Sequence, residues 1–331
     1  MNEFNDHPVK QVIREQWCKP LIKHLYEKLG YKLTYLGLPG IDAIDILAWI
    51  DYLNKVIAFD IGYYPKPYNK TKAEENIAVL SNILNELETN GSIETYSLFH
   101  GYIEDVVLKG MDLNRTPFKL NEVVTIYNLD FCNPLTAPQK IIDPISGEVY
   151  SFYKSEVIRR LLELQRNHSS TNKNTKFIFH ITVHSAFWEA EAENLFSGDN
   201  IDLYNQYTKS LAELDEQEKN IRLLRLYMID VIKTQFCSNQ FIPEFLPTLY
   251  YNGTTDNWLL CFTVIGTYIR SAAGKAPFYQ STEKLISEKF LQPNDINIKH
   301  LIQNFVREAN CPKDPVEAIQ ELKSYKEIWL K

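Results

Sequence analysis

The sequence predicts an α/β fold: a mostly parallel sheet with helices on both faces, joined by a helical insertion and a helical C-terminal extension. Three observations carry this. Between residues 31 and 184, short apolar runs alternate with amphipathic stretches of helical period. Three of those runs, Lys55–Phe59 (KVIAF), Val123–Leu129 (VVTIYNL) and Lys176–Val183 (KFIFHITV), are nearly continuous in apolar residues, as strands covered on both faces are. Beyond residue 185 the alternation stops and a charged, helix-favouring stretch takes over.

Taken in order, residues 8–29 read as a helix, with Val12, Trp17, Leu21, Ile22, Leu25 and Leu29 recurring along it and Gly30 in the place of a C-terminal cap. Tyr31–Leu38 is β-prone and ends in Gly37-Leu38-Pro39-Gly40. A helix over about 41–53 follows, then the strand Lys55–Phe59, stopped by Asp60. Residues 71–88 carry Ile77, Leu80, Ile83, Leu84 and Leu87 on one helical stripe. Thr95–Phe99 is the third strand, with His100-Gly101 and a short helix through Leu108 after it. Val123–Leu129 runs into Asp130. Residues 153–166 form an amphipathic helix, 167–175 a polar loop, and Lys176–Val183 the fifth strand. Residues 186–236 are mostly helical. Thr248–Tyr251 and Trp258–Ile265 flank a turn at Asn252-Gly253-Thr254-Thr255-Asp256, the pattern of an antiparallel pair. The chain is helical again from about 282. The organisation expected is an N-terminal helix over 1–30, a core over 31–270 with its insertion at 186–236, and a helical extension over 271–331.

Composition narrows the function classes. A hydrophobic fraction of 45% and a charged fraction of 23% exclude a wholly disordered or collagenous chain. No apolar run reaches the roughly 18 residues a membrane-spanning helix needs, and Met1 to His7 lack the basic-then-apolar plan of a signal peptide. Five scattered cysteines without a Cys-x-x-Cys pair argue against a disulfide framework and a structural zinc site, and fit a cytoplasmic protein. The net charge of −7 does not favour a general nucleic-acid coat.

Four features can carry chemistry. Gly37 and Gly40 stand at a strand end directly before a helix, where a backbone turns tightly and a ligand can come close. Asp60 follows Gly40 by 20 residues and closes the next strand, the place from which a carboxylate accepts hydrogen bonds from both ribose hydroxyls of a nucleoside. After the third strand, Tyr102 and Ile103 are placed to wall a base and Asp105 to meet its amino edge; Glu104 and Asp105 serve equally as first-turn acids of a helix. After the fourth strand, Asn128, Asp130 and Phe131 bring an amide, a carboxylate and an aromatic ring to the carboxyl edge of the sheet.

In this order the residues resemble class I S-adenosylmethionine-dependent methyltransferases: a glycine turn after strand one, an acid after strand two, a Gly-x-x-x-Asp loop at Gly101–Asp105, and Asn/Asp-aromatic-Asn-Pro through Asn133 and Pro134. The Trp258–Ile265 pairing is similar to that family's closing antiparallel strands. The resemblance covers about 31–270 and rests on order and spacing. It implies a Rossmann-like, methyltransferase-type core with S-adenosylmethionine as cofactor. Gly37 and Gly40 would lie under its methionine part, Asp60 on its ribose, and Tyr102 and Ile103 beside its adenine. Asn128, Asp130 and Phe131 would face the methyl acceptor. The chain departs from the family pattern in three places. Thr34, Tyr35 and Leu36 stand where an acid usually precedes the first glycine, Pro39 interrupts the turn, and residues 128–131 are not the Asn/Asp-Pro-Pro-aromatic of methyltransferases acting on the amino groups of bases.

The expected function is therefore an S-adenosylmethionine-dependent methyltransferase whose acceptor includes nucleic acid among the candidates. The alternative is a non-catalytic Rossmann-like module that binds a nucleotide or a partner. Tyr63, Tyr64, Lys66, Tyr68, Lys70 and Lys72 interleave rings with positive charge, as single-strand binding does, although a Tyr- and Pro-rich surface loop has the same composition. The charged helices of 186–236 offer a solvated face or an arm for a protein partner. His180 and His184 share one face of a strand without a third ligand at metal spacing, so no metal is expected.

Overall fold

In the computed structural model, the described residues are 8–62, 70–131, 135, 138–142, 149–169, 176–185, 196, 199–252, 258–268 and 280–290. The run Tyr63–Tyr68, the segment Cys132–Pro134 and the helical extension beyond residue 290 lie outside them. The chain opens with α1 (Pro8–Val12), a π-helical turn (Ile13–Cys18) and α2 (Lys19–Leu29), which Gly30 closes in the left-handed conformation. Then come β1 (Leu33–Gly37), α3 (Ile44–Trp49), β2 (Leu53–Asp60), α4 (Lys70–Thr89), β3 (Thr95–His100), α5 (Ile103–Lys109) and β4 (Ile126–Asp130). A two-stranded ribbon, β5 (Pro138–Ile142) and β6 (Val149–Tyr153), precedes α6 (Glu156–Ser169) and β7 (Lys176–His184). The rest comprises α7 (Asp199–Ser210), α8 (Glu216–Ser238), β8 (Phe241–Phe245), β9 (Leu249–Asn252), β10 (Trp258–Tyr268) and α9 (Thr282–Ser287).

The main sheet runs β3-β2-β1-β4-β7-β10-β8, with β9 also on β10. The first five strands are mutually parallel, and β10 lies antiparallel to both β7 and β8. All five expected parallel strands are therefore in one sheet, with the run at 258–265 inserted antiparallel as expected. The direction of chain progress reverses between β1 and β4, and at such a switch point the loops part to leave a crevice at the carboxyl edge.

Side-chain alternation along the strands feeds two cores. On one face Leu36, Phe59, Tyr127, Leu129, Phe179, Ile181 and Phe262 pack with α5, α6 and α8. On the other, Tyr35, Ala58, Ile126, Ile178 and Cys261 pack beneath Trp17 and Leu21 of the N-terminal helices and Ile46 and Trp49 of α3. Helix α8 is the crossover from β7 to β8, and its Leu223, Leu224, Met228, Ile229, Ile232 and Phe236 are buried. That finding differs from the solvated face expected of 186–236: α8 is a covering helix of the core, with only its outer side exposed. No helix among the described residues is long and apolar enough to cross a membrane.

Candidate functional site

The parallel strands β1, β2, β3 and β4 end at one edge of the sheet, and the switch point lies between β1 and β4. Gly37 is the register partner of Ala58 on one side and Asn128 on the other. A Cβ at Gly37 would stand 2.3 Å from the Asn128 carbonyl oxygen, which also accepts from Leu38 N–H at 3.0 Å. Glycine here is required by the close approach of β4 itself, with or without a ligand. The turn that follows is left-handed at Gly40 (φ 67°) and again at Ala43 (φ 49°), whose buried Cβ makes that conformation a local strain.

Asp60 and His100 end β2 and β3 as register partners. Asp60 Oδ1 accepts from the Gly62 N–H at 2.5 Å, and Gly62 is locked (φ 76°) against α4, where a Cβ would meet the Ala73 carbonyl at 2.3 Å. Burial raises the Asp60 pKa above its ordinary value; the Gly62 bond and the nearby His100 oppose this. His100 is buried, its backbone N–H donates to Asp112 Oδ2 at 3.1 Å, and its ring Nε2 has no partner. A half-buried carboxylate beside an orphaned imidazole nitrogen leaves hydrogen-bonding capacity facing one place.

Within β4 itself, the sequence-predicted Asn128 and Asp130 are already engaged. Asn128 Nδ2 donates to Asp45 Oδ2 at 2.7 Å, and Asp45 Oδ1 accepts from Arg14 Nε at 2.5 Å. Asp130 Oδ2 is 2.5 Å from Lys10 Nζ. Lys10 and Arg14, one helical turn apart, are both nearly buried, and Trp49 Nε1 donates to the Arg14 carbonyl at 3.2 Å within the π-helical turn. The N-terminal helices thus place Lys10 on the carboxylate expected to face an acceptor and Arg14 on the Asp45 that holds Asn128. Neither Lys10 nor Arg14 was among the expected site residues. The signal is there, since both continue the buried stripe of Trp17, Leu21 and Leu25 at spacings of three and four.

The remaining expectations fall as follows. Tyr102 is the partly exposed N-cap residue of α5, while Ile103 is buried in the core. Asp105 pairs with Lys109 at 3.4 Å, and burial raises its pKa. The neighbouring Glu104 is buried against Lys154 at 2.8 Å. Phe131 belongs to the core cluster with Leu129 and Leu135, so its ring does not stand open for stacking. His180 is buried, its Nδ1 shares a hydrogen bond of 2.9 Å with Thr263 Oγ1, and that hydroxyl accepts from Trp17 Nε1 at 2.8 Å. Burial pulls the His180 pKa down to about 3, so its ring is neutral in the fold. Among the described residues no group of three His, Cys, Asp or Glu side chains is arranged to hold a metal ion.

Strand order, the antiparallel β10 between β7 and β8, and the glycine and acid at the ends of β1 and β2 define a Rossmann-like fold of the class I methyltransferase type. The chain belongs to the family described as PP_RS20740-like, which it matches over residues 4–224. Comparison with curated proteins gave no match. Among solved structures, the chain is similar to the N-methyltransferase NodS from Bradyrhizobium japonicum WM9 in complex with S-adenosylhomocysteine, at 8% identity over 80% of this chain and 90% of that one, TM-score 0.36. It is similar to the magnesium protoporphyrin IX methyltransferase ChlM from Synechocystis PCC 6803 at 11% identity over 79% and 88%, TM-score 0.31. It is also similar to EvdMO1 at 12% identity over 75% of this chain, TM-score 0.35, and spans 40% of EvdMO1's length.

Proposed function

We propose that the chain binds S-adenosylmethionine at the β1–β4 switch point and transfers its methyl group to an acceptor entering beside β4. The pairing of Asp60 with His100 at the ends of β2 and β3 is the observation that carries this reading: a carboxylate bonded at one oxygen to its own turn, next to a buried ring nitrogen without a partner. A ribose offers two adjacent hydroxyls that such a pair accepts and donates to, so the residues present fit the cofactor. Gly37 and Gly40 shape the turn under the methionine part, and Tyr102 borders the adenine with the buried Ile103 packed behind it and Asp105 toward its amino edge.

The bound cofactor supplies an electrophilic methyl group. The chain's own contribution is alignment, since a displacement of this kind gains most from holding two reactants in line. Asn128 is fixed by Asp45, and Asp130 by Lys10, so the polar groups beside β4 are pre-set rather than free to swing. Asp130 acts within an ion pair and orients an acceptor more readily than it removes a proton. Phe131 works as packing behind that pair. A nucleic acid as acceptor rests on the Tyr63–Lys72 run in the sequence, and retention of a single-stranded oligonucleotide on a filter tests it.

Ultraviolet cross-linking of tritiated S-adenosylmethionine, followed by peptide mapping, tests the placement. The label is expected in peptides holding Gly37–Gly40 or His100–Asp105. Label confined to other peptides, or none above a heat-denatured control, sinks the reading.

A further inference from the structure

Away from the switch point, a second constellation lies between α7, α8 and the segment after α9. Arg225 of α8 is 1% exposed, yet among the described residues it makes no ion pair. One face of its guanidinium lies over the Phe290 ring at 4.5 Å, and Nη1 donates to the Glu288 carbonyl oxygen. Its Nε has no hydrogen-bond partner among the described residues. The Tyr207 hydroxyl on α7 is buried beside Arg222, close enough for a poorly aligned contact but with no well-formed hydrogen bond among the described residues, and Arg225 is within electrostatic reach. Arg222, one turn before Arg225, is held by Glu218, which accepts from its Nε and Nη2 at 3.2 and 2.6 Å.

A guanidinium taken out of water needs a counter-charge or a full set of acceptors, and Arg225 has one carbonyl and one ring. Burial without a carboxylate draws its pKa down to about 10, although it stays a cation. The unfilled Nε–H points along the edge of the fork that carboxylates and phosphates grip in pairs. The Tyr207 phenol beside it, whose oxygen faces Arg222, keeps its O–H as a donor of the right kind. An aromatic shelf adjoins the cluster: Phe290 contacts Tyr250 at 5.5 Å, and Tyr250 stacks on Trp258 at 4.5 Å. Trp258 opens β10 next to Leu259, the register partner of His184 at the end of β7, so the shelf stands at the same carboxyl edge as the switch point, two strands beyond β4.

We propose that Arg225 and Tyr207, with Arg222 beside them, form a subsite for an oxyanion, the carboxylate or phosphate group of a ligand. The subsite is independent of the cofactor reading, since none of its residues touches the β1–β4 crevice.

The test uses the full chain with inorganic phosphate and with acetate as probes, each titrated at an ionic strength matched by chloride. Thermal midpoint and calorimetric heat are read together. The wild type is expected to respond saturably to phosphate alone if the subsite takes phosphate groups, and to acetate also if it takes carboxylates. Arg225→Lys keeps the charge, loses the fork and abolishes the response. Because Arg225 also holds Glu288, that variant risks misfolding, and Tyr207→Phe decides the matter. Because Arg222 keeps both bonds to Glu218, removing the Tyr207 hydroxyl leaves the anion-free midpoint close to wild type, but weakens anion binding by about tenfold, the loss of one hydrogen bond to a charged group. The proposal is overturned if neither anion gives a saturable response in the wild type, or if Tyr207→Phe binds the anion as tightly as wild type does.

Discussion

Replacing Lys10 with methionine keeps the buried stem of the side chain and removes only the ammonium that lies 2.5 Å from Asp130. The Lys10 and Asp130 side chains are 9% and 26% exposed, so the pair is mostly screened from water by protein rather than by salt. Two unit charges about 4 Å apart attract by about 4 kcal/mol at the effective dielectric near a protein surface. Regained hydration of the lost ammonium returns part of that, and the carboxylate left behind keeps a residual solvent contact. The expected net loss is about 2–3 kcal/mol for Lys10→Met. Asp130→Asn should cost a similar amount, since it takes the carboxylate away from a nearly buried ammonium. The double variant should lose less than the sum, with a coupling of about 1–3 kcal/mol. Urea unfolding at neutral pH, followed by circular dichroism for all four proteins, measures the cycle. A coupling below about 0.5 kcal/mol would refute the claim that this pair fastens α1 to the end of β4.

Gly37→Ala should destabilise the fold by about 1–3 kcal/mol in the same assay, because its Cβ would stand 2.3 Å from the Asn128 carbonyl and must push β4 away; an unchanged midpoint would show that β1 and β4 are not so close. His180 titrates at about 3 in the fold against 6.5 ordinarily, so between those values the native state binds fewer protons than the unfolded chain. Stability is then whole above about pH 6.5 and falls as pH drops toward 3, by up to about 1.4 kcal/mol per pH unit from this residue. His180→Gln should flatten that part of the stability profile, and a profile parallel to wild type would contradict it.

How much of this was legible in the sequence depended on how local the cause was. KVIAF, VVTIYNL and KFIFHITV declared themselves because central strands of a parallel sheet are covered on both faces and tolerate little polarity. Strand β8 did not, because Pro243 breaks its pattern. It stands at the end of the sheet order, paired among the described residues only with β10, where a missing N–H is tolerated. The charge-rich α8 suggested a solvated face because its polar residues obscure the buried Leu223, Met228 and Phe236. Glycine and acid spacing located Gly37 and Asp60, a local matter of turn and strand length. The stripe through Trp17 and Leu21 marks Lys10 as inward-facing, but its pairing with Asp130, 120 residues away, was not readable because it is set by how the N-terminal helices dock. The burial of Phe131 was equally hidden, because strand alternation at a strand's last residue gives no firm face.

The central claim is that Asp60 holds the ribose of a bound cofactor, and calorimetric titration of S-adenosylhomocysteine into wild type and Asp60→Asn tests it most directly. Burial raises the Asp60 pKa, so above its ordinary value of 3.8 the native state binds more protons than the unfolded chain, and the ionised carboxylate costs stability at neutral pH. The account predicts that Asp60→Asn melts higher than wild type without ligand, yet binds S-adenosylhomocysteine at least about tenfold more weakly, as loss of a charged acceptor requires. Wild type that gives no binding heat, or a variant that binds as tightly as wild type, would contradict it.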